Sequence, residues 1–347
     1  SYEVSWARRC VYETDVAVGR QALDTNTTGG DNTAVGDQAL FSNTTASNNT
    51  AIGKDALGVN TTGPDNTAVG YLSLDANTSG GSNVAMGRGS LGANTTASNN
   101  VAIGDLSMVA NTEGHSNTAI GKSSLGANTT GTSNTAVGCD ALANNTTAGA
   151  NTAVGRNALK DNTTGSDNTA VGESALRENE TGCCNSVLGE NAMTLNTSGC
   201  YNTSIGSFSL HNNTTANNNT AVGYLTLNAN TTGATNTAVG FKSSLANTTG
   251  TLNASFGDNS FRCNTTGANN TALGTSALFH NTTASFNTAV GSEALSTNTT
   301  GASYVAIGRL ALKANTTGSD NVAVGVCALD TNTEGASNIA VGTTALF

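Results

Sequence analysis

Apolar residues return at fixed places in a unit of seventeen residues, copied about twenty times without insertion or deletion. The unit reads N-T-A-V-G-x-x-A-L-x-x-N-T-T-G-x-x, and its glycine recurs from Gly19, Gly36 and Gly53 through to Gly342. Counting Asn32 as position one, position four is apolar in every copy, as at Val35, Ile52, Met86, Leu188 and Phe256. Position two is Thr, replaced mostly by Val or Ile, as at Val84, Val101 and Ile339. Position nine is nearly always Leu, with Met108, Met193 and Phe261 as substitutes and Ser244 as the polar exception. Positions two and four share one face of an extended segment, and their β-branched content suits a short strand. We therefore expect rows two, four and nine to point inward and to stack as the apolar ladders of a core. Self-similarity at a short fixed period marks a solenoid, in which each unit contacts only its neighbours.

The remaining small residues refine that picture. Position five is Gly in every copy, which suits a corner at positive φ. Position fifteen is always Gly or Ala (Gly29, Ala46, Gly63), a second corner or a place of close backbone approach. Gly, Asn and Thr recur in every unit and are weak helix formers. The fold expected is all-β: a single parallel β-solenoid, or β-roll, of about twenty coils of seventeen residues over 15–347. Each coil should hold two or three short strands and pair with the next at about 4.8 Å. Positions three (Ala34, Ala51, Ser204) and eight (Ala39, Ser73, Ala141) are small throughout. Lying between inward residues, they should face outward. Either another copy packs closely on them, or a tight coil admits nothing larger.

Two polar rows complete the unit. Position one is Asn in most copies, with Asp15 and Tyr304 as exceptions, and position twelve is Asn from Asn26 to Asn332. Stacked Asn side chains can form an amide ladder and cap turns. The alternative is carbohydrate, because Asn-Thr-Thr is an N-x-[ST] acceptor. The candidate acceptors in row twelve are Asn26, Asn43, Asn60, Asn77, Asn94, Asn128, Asn145, Asn162, Asn179, Asn196, Asn213, Asn230, Asn247, Asn264, Asn281, Asn298 and Asn315. Asn111 and Asn332 keep the Asn but lose the acceptor to Glu113 and Glu334, which speaks for a turn role. Further sequons lie elsewhere, at Asn48, Asn144, Asn202, Asn212, Asn218, Asn253 and Asn269.

Composition narrows the function. Charged residues are 10% of the 347, and the net charge is −10. That balance argues against nucleic acid, whose binding rests on Lys and Arg. No apolar run is long enough for a membrane span, and no signal peptide is visible. So strict a period leaves little room for a unique active site. The three histidines (His115, His211, His280) form no constellation, and no P-loop, G-x-S-x-G or H-E-x-x-H pattern occurs. We expect no enzyme, no cofactor and no metal. Asp31, Asp65, Asp167 and Asp320 at position seventeen read as turn residues.

Seven cysteines are present. Cys183 and Cys200 occupy the same position in adjacent coils, so stacking brings them within disulfide range. Cys184 competes for the same partner, while Cys139, Cys263 and Cys327 look solitary. The stretch 1–14 departs from the repeat and holds the one Trp. Tyr2, Val4, Trp6 and Cys10, with Phe347 at the other end, are candidates for a joining segment. Stacked coils leave open edges, so this segment is either a cap or half of a head-to-tail joint that builds a filament.

The unit N-T-A-V-G-x-x-A-L resembles the S-x-A-I-G repeats in the heads of trimeric autotransporter adhesins. It is also similar to N-T-A-x-G-x-x-A-L arrays in viral and phage fibre proteins. The likeness runs from Val16 to Phe347. It implies a left-handed β-roll, often trimeric, working in adhesion. This chain differs in its longer period and in having no stalk heptads or membrane anchor. The function expected is an extracellular structural protein, a subunit of a fibre or surface filament assembled through its ends or laterally with its own kind. The edge formed by row twelve is the candidate for N-linked glycans. The alternatives are an adhesin or tail-fibre head that binds a host ligand and, more remotely, an ice-binding protein.

Overall fold

The computed structural model describes residues 14–346. Over these residues the chain is an all-β parallel β-solenoid with one coil per seventeen residues and no helix. It divides into two compact units that meet at Asn168 and Thr169 in the sequence. The first unit has β1 (Val16–Val18), β2 (Thr33–Val35), β3 (Thr50–Ile52) and so on at every seventeenth residue to β9 (Thr152–Val154). The second has β10 (Thr169–Val171), β11 (Ser186–Leu188), β12 (Thr203–Ile205) and onward to β20 (Ile339–Val341). Within each unit successive strands pair in parallel and in register, Ala34 with Ala51 in the first and Val187 with Ser204 in the second.

Each coil has one strand of three residues, where two or three strands were expected. The reason lies in the backbone. Positions seven, nine and seventeen take left-handed geometry in coil after coil, as at Gln38 (φ 58°), Leu40 (φ 50°) and Asn48 (φ 62°). Such residues cannot continue an extended run, so positions six to seventeen wind as turns. Hydrogen bonding to the neighbouring coil persists through them: Leu40 N–H donates to Ala56 O at 3.0 Å and Thr44 N–H to Thr61 O at 3.1 Å. Gly36 at position five has φ 144°, and a Cβ there would lie 2.4 Å from the carbonyl oxygen of Gly53. Both constraints demand glycine. Position fifteen has no positive φ; it is the place of close approach, since a Cβ on Gly63 would meet Gly80 O at 2.3 Å.

The inward rows differ from those expected. Position three points inward and is fully buried, as at Ala34, Ala51 and Ala68 in the first unit and Ala221, Ala238 and Ala272 in the second. Position eight is buried as well (Ala39, Ser73, Ala141), alongside the Leu row at position nine (Leu40, Leu57, Leu74). Rows two and four, expected inside, face outward. In a three-residue strand the middle side chain and its two flanks lie on opposite faces. The tight coil has room for alanine and one leucine per turn, so the flanks go out. Row nine is placed as expected. Rows three and eight are small because the interior is narrow, so they offer no lateral contact.

Phe261 and Ser244 occupy row nine in adjacent coils, both buried. The large ring therefore sits next to the smallest side chain in its row. The Ser244 hydroxyl is also paired, lying 2.7 Å from Ser255 Oγ, which itself lies 2.7 Å from Ser243 Oγ. Burying these hydroxyls is tolerable because they satisfy one another.

Candidate functional site

The two asparagine rows meet at one backbone atom. Asn43 at position twelve donates from Nδ2 to Ala46 O at 3.0 Å, and Asn32 at position one donates to the same oxygen at 3.0 Å. Both lone pairs of that carbonyl are thus used. The second amide hydrogen of Asn43 goes to Asn26 Oδ1 at 3.0 Å, which propagates the row. Asn32 Oδ1 accepts from Asn49 N–H at 3.0 Å. The pattern repeats in both units, for example with Asn196, Asn202 and Asn213. Asn111, which has no sequon, makes the same contacts, 3.1 Å to Asn94 Oδ1 and 2.9 Å to Gly114 O. Asn332 donates to Gly335 O at 3.0 Å. Asp15 substitutes at position one by accepting from Asn32 N–H and Asn26 Nδ2. Tyr304 cannot do both jobs of an Asn. It is buried, which pushes its phenol up to about 12, and Oδ1 of Asn298 and of Asn315 is left without a partner.

This geometry bears on the carbohydrate candidates. From Asn43 to Asn315, every candidate acceptor in row twelve is buried, and only Asn26 in the first described coil is half-buried. A sugar on Nδ2 would replace an amide hydrogen of the ladder and fill space that the chain already occupies. Asn202 and Asn253 are buried in the same way. Four other sequons stand exposed: Asn48, Asn218 and Asn269 at position seventeen, and Asn144 at position eleven.

The outward rows form an organised surface within each unit. In the first unit row four presents Ile52, Val69, Met86, Ile103 and Ile120 beside the Thr and Val of row two. In the second unit it presents Leu188 (50% exposed), Ile205, Phe256, Leu273 (47%) and Ile307. On the turn side of the second unit, aromatic rings gather. Tyr224 and Phe241 stack at 5.8 Å, Lys242 Nζ lies 4.7 Å from the Phe241 ring, and Arg262 lies over Phe279 at 5.5 Å. On the turn side of the first unit, a groove of about 370 Å³ is lined by Gln38, Phe41, Asp55, Leu72 and Asp75. Burial lifts the Asp75 carboxyl above its ordinary value.

The cysteines expected to meet do so. Cys183 Sγ and Cys200 Sγ are 2.9 Å apart and both are thiols. The hydrogen bond to Cys200, helped by burial, pushes the Cys183 thiol up to about 12. Cys139, Cys263 and Cys327 are free thiols. Among the described residues, no three His, Cys, Asp or Glu side chains form a group able to hold a metal ion, and no helix is long and apolar enough to cross a membrane. Tyr2, Val4, Trp6, Cys10 and Phe347, the candidates for a joint, lie outside the described residues.

Sequence reasoning missed the outward apolar face. A signal for it was present: row three never exceeds the size of valine, whereas row four runs from Val35 to Met86 and Phe256. Constant smallness marks a confined row, and varied bulk marks an open one. The fold and these surfaces define a tandem-repeat parallel β-solenoid protein. No protein-family model matches the chain, and no curated protein aligns with it significantly.

Proposed function

We propose that the chain is a structural subunit of an extracellular or surface fibre, and that copies associate side by side through rows two and four. The observation that carries this reading is the apolar character of row four in every coil, although the row faces outward. Scattered apolar residues are normal on a surface, but a contiguous apolar stripe marks an interaction site. Bare in water, it would favour nonspecific aggregation. A second copy carries the same row at the same spacing and covers it. Interfaces between identical chains are enriched in apolar area at their centre. The resemblance to adhesin heads and fibre proteins supports the same class of role.

The test is sedimentation of the purified chain beside a variant carrying Ile103→Lys, Ile120→Lys and Val137→Lys. The unaltered chain should sediment as a defined oligomer and the variant as a monomer with the same circular dichroism. A monomeric unaltered chain at micromolar concentration would sink the proposal. Any glycan on folded chains belongs on the exposed Asn48, Asn144, Asn218 and Asn269 or on the half-buried Asn26 and Asn212, which glycopeptide mass spectrometry reads directly.

A second reading, an adhesive head, draws on the aromatic group of the second unit. Tyr224 and Phe241 are each nearly half exposed, and a stacked aromatic pair with Lys242 beside it suits contact with a ligand ring. A glycan-binding screen in which Tyr224→Ala and Phe241→Ala abolish a signal would favour the head. Unchanged binding in both variants would remove it.

A further inference from the structure

We propose that Cys183 and Cys200 form a disulfide between adjacent coils. Both occupy position sixteen, one coil apart, on either side of the β11–β12 pairing. Neighbouring strands lie about 4.8 Å apart, inside the separation a disulfide spans, and the sulfurs already sit 2.9 Å from each other. In other coils the same position is held by serine: Gly30 N–H donates to Ser47 Oγ at 3.1 Å, Gly81 N–H to Ser98 Oγ at 3.0 Å and Ala268 N–H to Ser285 Oγ at 3.0 Å. Here Cys183 N–H donates to Cys200 Sγ at 3.0 Å in the same manner. The site is that serine contact rebuilt in sulfur on both coils.

Register selects between Cys183 and Cys184. Across from Cys184 at position seventeen stands Tyr201, not a cysteine, and both residues have left-handed backbones (φ 58° and 60°).

Oxidised glutathione serves as the oxidant. One of the two cysteines attacks, as thiolate, one glutathione sulfur; the glutathione S–S bond breaks, and one glutathione leaves as thiolate. The other cysteine then gives its proton to solvent, attacks the protein sulfur that carries glutathione and expels the second glutathione. Two protein thiols lose two electrons, and one glutathione disulfide becomes two thiols.

The experiment uses the full chain, equilibrated with excess oxidised glutathione, alkylated, digested and read by fragment-ion mass spectrometry. The expected product joins Cys183 to Cys200 and leaves Cys184 alkylated, and Cys184→Ser retains that link. Cys183→Ser and Cys200→Ser should each abolish that link. A Cys183–Cys184 link, or alkylation of all three after oxidation, would overturn the pairing.

Discussion

Positions three and four of the coil are neighbours in the chain with opposite surroundings. Ala102 is fully buried between Ala85 and Ala119, while Ile103 beside it faces outward. Hydrophobicity alone would reverse them, because the larger side chain gains more from burial. Size decides instead. The coil closes on seventeen residues, and its interior is already filled by a leucine, two small residues and two asparagines per turn. A row repeated at strand spacing meets its own copies above and below, so an oversized residue clashes twice. The outer row has no such ceiling, which is why Phe256 and Met86 occur there.

The strongest attempt to break this comparison is Ala102→Leu. Overpacking a filled interior costs about 1–3 kcal/mol, and the repeat above and below should place this case at the upper end. Thermal melting should fall by several degrees, and an unchanged melt would mean that the interior is not full. Next comes Asn111→Ala, which strips a donor from Gly114 O and leaves Asn94 Oδ1 unpaired. A buried polar group left unsatisfied costs about 1–3 kcal/mol, so urea unfolding should show a clear loss. An equal loss in Asn94→Ala would show that sequon and non-sequon copies do the same work.

A size swap within one row tests confinement more finely. Ser244→Leu should overpack and Phe261→Leu should leave a void, yet the double variant should recover part of both losses. The coupling expected for neighbours in contact is about 0.5–3 kcal/mol, measured as a double-mutant cycle. Additive losses would mean that the two side chains do not share space. On the outer row, Ile103→Ala should change the stability of the isolated chain by less than about 0.5 kcal/mol while weakening association. The smallest effect belongs to Arg88, whose Nε lies 2.8 Å from Asp105 Oδ1 on the exposed row six. Its hydrogen bond holds the Asp105 carboxyl below its ordinary value. A lowered carboxylate pKa stabilises above the unfolded value and loses that contribution as pH falls. Arg88→Ala should therefore alter the melt slightly at neutral pH and not at all once the carboxylates are protonated.

Much of the architecture was legible in the sequence. The period identified the solenoid, the invariant Gly36 position marked the corner, and Asn111 without its sequon indicated a structural asparagine. The cysteine pair was legible because identical positions in a parallel stack must be neighbours. The direction of the strand was not. Alternation says that positions two and four share a face, but not which face is inside. Apolar content pointed one way and the uniform smallness of Ala34, Ala51 and Ala68 pointed the other. The buried state of Asn43 was equally hidden, since Asn-Thr-Thr reads the same inside and outside a coil.

The sequence by itself determined the repeat, the parallel register and the residues that stack on their own kind. These follow from periodicity, because equal spacing places like residues in contact. Only the tertiary structure decided which rows line the interior. That depends on the cross-section left once the backbone closes through left-handed turns at Gln38, Leu40 and Asn48. The turns make the coil too narrow for two β-branched rows. Alanine and asparagine go in, and valine and isoleucine are left facing out.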